Sequence, residues 1–317
     1  MKPRVSKTIK DGLIQKISLP SYAKVNIGLR VLGRRKDGYH ELETIFQQIS
    51  LHDLISIDID RGAKNTEISL SVDSPLLPTD DRNLAYRAAL LYLQEIRTSC
   101  RIRIEIKKRI PVGAGLGGGS SNAAIVLMAL NKLFDKKLEF SRLLGLARQL
   151  GADVPFFLKG GCAYATGIGD QLREIPPMLK NEHIVVVAPP IHVASGWAYA
   201  KLKIPLTNNR KNTTFLCFSE MKSHPSLWRN EFVNDFEDVV FAHFPVLREI
   251  KQKFYEMGAS FVSLTGSGSA IYAVYEKQED ARNGVGSFQL SYSAFLTVPV
   301  TLGWTAIDGM VEKRKVG

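Results

Sequence analysis

Apolar and polar positions alternate with a period of two through the first quarter of the chain. Short runs at Ile17 to Ser21, Val25 to Leu32, Thr44 to Ile49, Leu54 to Ile59 and Glu67 to Val72, set apart by turn-rich stretches, predict strands. The period then changes. Asn83 reads as an N-cap, and the helix predicted behind it, Leu84 to Ile96, spaces Leu84, Ala88, Leu91 and Ile96 along one face. From Arg101 to Ile106 the isoleucines 102, 104 and 106 alternate with Arg101, Arg103 and Glu105, the pattern of a strand with one face buried and one wet. A glycine-rich run follows directly. Beyond it, Ser120 to Phe134 is rich in alanine and leucine and predicts a buried helix, and Ser141 to Leu150 predicts a second one stopped by Gly151.

Pro176-Pro177 marks a boundary between two units. The second contains the apolar strand His183 to Ala188, a long helical stretch from about Asn234 to Met257, and a strand-turn-strand from Phe261 to Tyr275 across Thr265 to Ser269. A short helix after Glu279 and a strand at Ala294 to Leu302 complete it. Strands and helices mix without regular alternation, which favours an α+β fold over a doubly wound parallel sheet. The expected organisation is an N-terminal extension over 1–16, a first domain over 17–178 and a second over 179–317.

A chain of 317 residues, 45% of them hydrophobic, is long enough to bury the cores of two such domains. Its net charge of +11 favours anionic partners, among them phosphorylated metabolites. The basic residues are scattered apart from Lys107-Lys108-Arg109 and Lys313-Arg314-Lys315, with no aromatic residues interleaved, which disfavours nucleic acid. The three cysteines, Cys100, Cys162 and Cys217, are widely separated and odd in number, as expected of thiols in a reducing cytoplasm. No apolar run suits a secretory signal or approaches the ~18 residues of a membrane helix. The histidines lack a zinc-ligand spacing, so no protein-bound metal is expected.

The glycine-rich run Pro111-Val112-Gly113-Ala114-Gly115-Leu116-Gly117-Gly118-Gly119-Ser120-Ser121 carries the most chemistry. Its five glycines, lying between a strand and a helix, let the backbone approach a ligand and aim successive N–H groups at it, beside the positive end of a helix dipole. Polyphosphate is the natural occupant. Ser120 and Ser121 stand where hydroxyls can cap the helix and touch a phosphate oxygen or its magnesium. Gly113, Gly115 and Gly118 satisfy G-x-G-x-x-G, but the amphipathic strand before them argues against a dinucleotide fold. No H-R-D or D-F-G segment completes a protein kinase, and no lysine follows the glycines as a Walker A loop requires.

Three motifs, Ala23-Lys24-Val25-Asn26, the loop at Pro111 to Ser121, and Leu264-Thr265-Gly266-Ser267-Gly268, together resemble the GHMP kinases. Gly38-Tyr39-His40-Glu41-Leu42, Gly151-Ala152-Asp153-Val154-Pro155-Phe156-Phe157 and Phe232-Val233-Asn234-Asp235 resemble the branch that phosphorylates a cytidine diphosphate methylerythritol on its 2-hydroxyl in non-mevalonate isoprenoid synthesis. The resemblance implies a GHMP kinase N-terminal domain of ribosomal-protein-S5 type that holds ATP, a ferredoxin-like C-terminal domain, and a substrate cleft between them. It implies Asp153 as catalytic base and Lys24 as the group that polarises the accepting hydroxyl. Asn83 and Lys108 would join the loop in holding ATP, with magnesium carried by the nucleotide. Tyr39 and Tyr199 would sandwich the cytosine and His40 would read its edge. Asn26, Ser195, Thr265, Gly266, Ser267 and Gly268 would line the substrate side, completed by Asn234 and, less directly, Asp235. The expected partners are small molecules only, with no membrane, for a cytoplasmic monomer or homodimer. The alternatives are a homoserine or mevalonate type of GHMP kinase and a non-catalytic basic nucleotide- or RNA-binding module, against which the intact Lys24 and Asp153 argue.

Overall fold

Two long antiparallel strands, β1 (Ile14–Arg34) and β2 (His40–Asp60), form the spine of the first lobe. The computed structural model describes residues 14–63, 65–202, 215 and 224–301, together with the short parallel pair 4–5 and 312–313. The four strands expected over 17–59 are only two. Register shifts at Tyr22/Ala23, Ile27/Leu29 and Val31/Gly33 absorb the breaks in alternation without ending the pairing. Strand β1 also starts before Ile17, so residues 14–16 of the expected extension pair with Asp58 to Asp60, while most of 1–13 lies outside the described residues.

The second edge of β2 is shared. Its C-terminal half pairs with β4 (Arg101–Lys107), which takes β3 (Glu67–Val72) in parallel on its far side. Its N-terminal half pairs with β5 (Cys162–Thr166), followed by β6 (Gln171–Glu174), which gives the six-stranded sheet β3-β4-β2-β5-β6 with β1 along β2. Ile102, Ile104 and Ile106 are buried and their charged neighbours exposed, as the alternation predicts.

Four helices pack over the apolar face made by Ile55, Ile57, Ile59 and these isoleucines: α1 (Leu84–Ile96), α2 (Gly118–Leu133), α3 (Phe140–Leu150) and α4 (Val154–Lys159). Helix α1 is capped by Asn83, whose side chain accepts from the Ala85 amide, but its buried face runs through Ala85, Ala88, Ala89, Tyr92, Leu93 and Ile96. Leu84 and Leu91 sit at its margin.

In the second lobe β7 (His183–Ala188) is followed by α5 (Ser195–Lys201), the 3-10 turn Pro225–Asn230, α6 (Phe236–His243) and α7 (Pro245–Glu256). Strands β8 (Phe261–Leu264) and β9 (Ile271–Tyr275), helix α8 (Gln278–Phe288) and strand β10 (Ser293–Thr297) complete it. The antiparallel order β10-β7-β9-β8 is the expected ferredoxin-like arrangement. The helix expected over 234–257 is two, because Pro245 pushes Phe244 to φ −125° and ψ 77°. Beyond β10 the chain crosses back: the amides of Ser50 and Val300 donate to the Val298 and Gln48 carbonyls, both at 2.8 Å. Leu302, the last residue of the strand expected there, lies outside the described residues.

A second apolar cluster joins Ala23, Val25 and Ile27 of β1 to Val186, Phe232 and Tyr272 of the other lobe. Because successive residues of a strand point to opposite faces, the same stretch of β1 turns Lys24 and Asn26 the other way, toward α4 and the start of α2.

Candidate active site

Lys24 is nearly buried, 4% exposed, and its Nζ donates to Asn26 Oδ1 at 2.6 Å while standing 3.8 Å from Asp153 Oδ2. The Phe46 ring lies beneath, its centroid 5.1 Å from the ammonium. Burial disfavours the charged form more than the neighbouring Asp153 favours it, so the Lys24 pKa falls below its ordinary value. Asp153 sits at the N-terminus of α4, ahead of Pro155. Its carboxylate caps no helix amide and is 33% exposed, which leaves it available to a ligand.

Asn26 ties this pair to the second lobe. Its Oδ1 also accepts from the Gly266 amide at 2.9 Å, its Nδ2 donates to Thr44 Oγ1 at 2.9 Å, and Tyr272 Oη donates to its carbonyl at 2.8 Å. Thr265 is buried and donates to Gly115 O at 3.2 Å, and the Gly268 amide closes the turn on Thr265 O at 3.0 Å. Asn234 braces the same turn from behind, donating to the carbonyls of Leu264 at 2.8 Å and Gly266 at 2.9 Å. Asp235 accepts from the Val31 amide at 2.8 Å, one layer further out.

The glycine run fits against this turn. Gly113, Gly115 and Gly117 have φ of +68°, +79° and +73°, the left-handed region that favours glycine. A Cβ at Gly115 would stand 2.1 Å from the Thr265 carbonyl oxygen, so closeness as well as conformation requires glycine there. Helix α2 opens on Gly117 with no side chain capping it and no acidic residue in its first turn. Ser120 and Ser121 are therefore not its caps. The first intrahelical bond is from Ser121 N to Gly117 O at 2.9 Å, which leaves the amides of Gly118, Gly119 and Ser120 without helical partners, a ready anion site.

Two cavities meet at this loop. One, of about 340 Å³, is lined by Pro111 to Ser120 together with Asn83, Arg82 and Lys108. The other, of about 190 Å³, is lined by Lys24, Asn26, Thr44, Phe46, Asp153, Ile168, Gly169, Ser195, Tyr199, Gly266 and Ser267, and both include Gly115 and Gly117. Ser195 and Ser267 bond to each other at 3.0 Å across the second cavity's wall. Ser121 belongs to neither, being buried and bonded to Ser21 at 2.8 Å. Lys108 lines the loop cavity, whereas Lys107 points outward to Glu105 at 3.7 Å.

The aromatic cluster is arranged differently from expectation. His40 and Tyr199 stack with centroids 4.6 Å apart and planes 14° from parallel, while Tyr39 is 61% exposed and lines neither cavity. Burial, with Arg34 nearby, lowers the His40 pKa; burial, with Asp153 adding to it, pushes the Tyr199 hydroxyl up to about 12. Sequence reasoning missed Thr44, Phe46, Ile168, Gly169 and Arg82 as lining residues. None sits in a motif, though the short Gly167-Ile168-Gly169 stretch signals a turn.

Residues 83–161 match the GHMP kinases N terminal domain, and residues 221–293 match GHMP kinases C terminal. A 4-diphosphocytidyl-2-C-methyl-D-erythritol kinase of Pelodictyon phaeoclathratiforme is 40% identical over 284 residues, which covers 88% of this chain and 96% of that protein. The chain belongs to the GHMP kinases, among their 4-diphosphocytidyl-2-C-methyl-D-erythritol kinases. It is thus an ATP-dependent kinase of small molecules. A crystal structure of a 4-(cytidine 5'-diphospho)-2C-methyl-D-erythritol kinase, 34% identical, covers 89% of this GHMP kinase and 98% of its own chain at a TM-score of 0.72. Homoserine kinase from Cytophaga hutchinsonii, 19% identical, covers 93% and 96% at 0.62 and shares the fold alone. Among the described residues, no helix is long and apolar enough to cross a membrane.

Proposed function

We propose that this kinase transfers the terminal phosphoryl group of ATP to the tertiary 2-hydroxyl of 4-diphosphocytidyl-2-C-methyl-D-erythritol, with Asp153 as base. The observation that carries the reading is the meeting of Lys24 and Asp153, from remote stretches, at the two glycines shared by both cavities. Nucleotide phosphates would occupy the loop cavity, held by the open amides of Gly118 to Ser120 and by Lys108. The acceptor would occupy the other. In transfer the hydroxyl oxygen bonds to the γ-phosphorus, the bond from that phosphorus to the bridging β-γ oxygen breaks, ADP leaves, and the hydroxyl proton passes to Asp153. The ammonium of Lys24, held in place by Asn26, polarises the hydroxyl and offsets the charge spreading over the phosphoryl oxygens.

Magnesium, entering on the nucleotide, would neutralise phosphate charge. Among the residues lining the cavities, the Ser120 hydroxyl and the Asp153 carboxylate would suit it. Tyr199, which lines the acceptor cavity and stacks on His40, would offer its ring to the cytosine. We take residues 17–178 as the ATP domain and 179–317 as the substrate domain of a cytoplasmic monomer or homodimer. The buried thiols Cys100 and Cys162, unpaired in the structure, suit a reducing compartment.

An ADP-release assay decides the substrate. The diphosphocytidyl methylerythritol should be turned over far above the ATPase background. Turnover of homoserine or mevalonate in its place would assign the chain to another branch.

A further inference from the structure

Asp53 is fully buried, and the chemistry proposed above makes no use of it. Its carboxylate accepts from three consecutive residues that lead into the glycine loop: the Lys108 ammonium, with which it is paired, the Arg109 amide at 2.8 Å and the Ile110 amide at 2.9 Å. Directly across the β1–β2 ladder, Asp53 is in register with Ser21, also fully buried. Ser21 reaches the other end of the loop, its Oγ 2.8 Å from both Ser121 Oγ and Asn122 Oδ1 near the start of α2. Residues facing each other across an antiparallel pair present their side chains to the same face of the sheet. One rung of the ladder therefore grips the stretch before the glycines with a carboxylate and the stretch after them with a hydroxyl.

The middle of the loop is anchored by the Ala270 amide on Ala114 O at 3.2 Å, Thr265 Oγ1 on Gly115 O at 3.2 Å and the Lys24 amide on Leu116 O at 3.0 Å. The amides of Gly118 to Ser120 lie beyond the last of these anchors, in a stretch whose glycines are cheap to reorient, so their spacing also depends on what fixes the two ends of the loop. Lys108, which lines the nucleotide cavity, is aimed by the same carboxylate. We infer that Ser21 and Asp53 are positioning residues that set the span of the phosphate loop and, through it, the kinase's affinity for nucleotide. This rests on the reading that the loop holds the phosphates of ATP.

The test measures Mg-ADP binding by calorimetry and the separate KM values for ATP and acceptor, in wild type, Asp53→Asn and Ser21→Ala. Asp53→Asn removes a charged acceptor from Lys108, so nucleotide affinity should fall ~10–100-fold, with the KM for ATP rising in step and the acceptor KM within about twofold. Ser21→Ala, which keeps the buried charge pair intact, should weaken nucleotide binding about threefold to tenfold without unfolding the chain. A rise in the KM for ATP with the acceptor KM unmoved, in protein that stays folded, is a split that a purely structural role would not give. Folded Asp53→Asn or Ser21→Ala protein with wild-type nucleotide affinity overturns the inference. Wild-type protein that binds no nucleotide would instead sink the functional reading beneath it.

Discussion

The two cavities that meet at Gly115 and Gly117 are made of different material. The wall of the loop cavity, proposed to take the nucleotide, carries a run of glycines at an uncapped helix start, with amides that have no helical partners. The wall of the other cavity, proposed to take the acceptor, draws side chains from β1, β2, α4, α5 and two turns, with a buried ammonium and a half-open carboxylate among them. A backbone site recognises what every ATP shares and tolerates drift in side chains, so it suits the part of the reaction common to a family. A side-chain site can be rebuilt residue by residue, so it suits the part that sets one substrate apart from another.

Substitutions on the acceptor wall should therefore separate from those on the loop, and the largest separation is at Asp153. Asp153→Asn keeps shape and removes the proposed base, so kcat should fall ~10²–10⁴-fold while Mg-ADP affinity stays near wild type. Equal losses of turnover and nucleotide binding would show that the two walls are not independent.

On the loop the contrast lies between neighbouring glycines. Gly115→Ala forces a Cβ against the Thr265 carbonyl and keeps a positive φ, which should cost about 1–3 kcal/mol of stability and weaken both substrates, since Gly115 borders both cavities. Gly119 is helical, and a Cβ there meets only Leu84 Cδ1 at 4.0 Å. Gly119→Ala should be neutral or stabilising by about 0.4–1 kcal/mol and retain nucleotide binding, because the amide that does the work remains. Thermal melts beside ADP titrations check both.

The same difference governs what the sequence could reveal. The loop was legible because a backbone site needs glycines in one contiguous run, and β4 because alternating isoleucines state which face is buried. The acceptor wall was not, since no local pattern records which of six separate stretches will converge; Lys24 and Asp153 stood out only through a family resemblance. Helix α4 escaped notice because Val154 to Leu158 are all buried, which leaves no polar face to give a helical period. Ser121 looked like a phosphate ligand beside Ser120. Successive helical residues, however, turn by about 100°, which carries its hydroxyl inward to Ser21.

The aromatic cluster gives a finer test of the side-chain wall. Tyr199→Ala removes the ring face that lines the cavity and should raise the acceptor KM by the equivalent of ~1–3 kcal/mol, with the KM for ATP unchanged. Tyr39→Ala should do less, because that ring stands 61% exposed outside the cavity. Equal effects would mean that Tyr39 swings in to cover the bound base, restoring the sandwich expected from the motif.

The smallest effect concerns the stability cost of building the acceptor wall with a buried charge. The Lys24 pKa is lower in the folded protein than in the unfolded chain, so between the two values only the unfolded chain holds the proton, and stability rises with pH across that window. Below the folded value the cost of burying the ammonium is constant. Lys24→Met, which fills the same space without charge, should therefore melt a few degrees above wild type at pH 7, and the advantage should shrink as the pH approaches 10. Its turnover should collapse, which would set the stability of this site against its chemistry in one variant. A Met variant that melts below wild type at neutral pH would mean that Asn26 and Asp153 more than compensate the ammonium. Lys24 would then stabilise the first lobe as well as serving the proposed reaction.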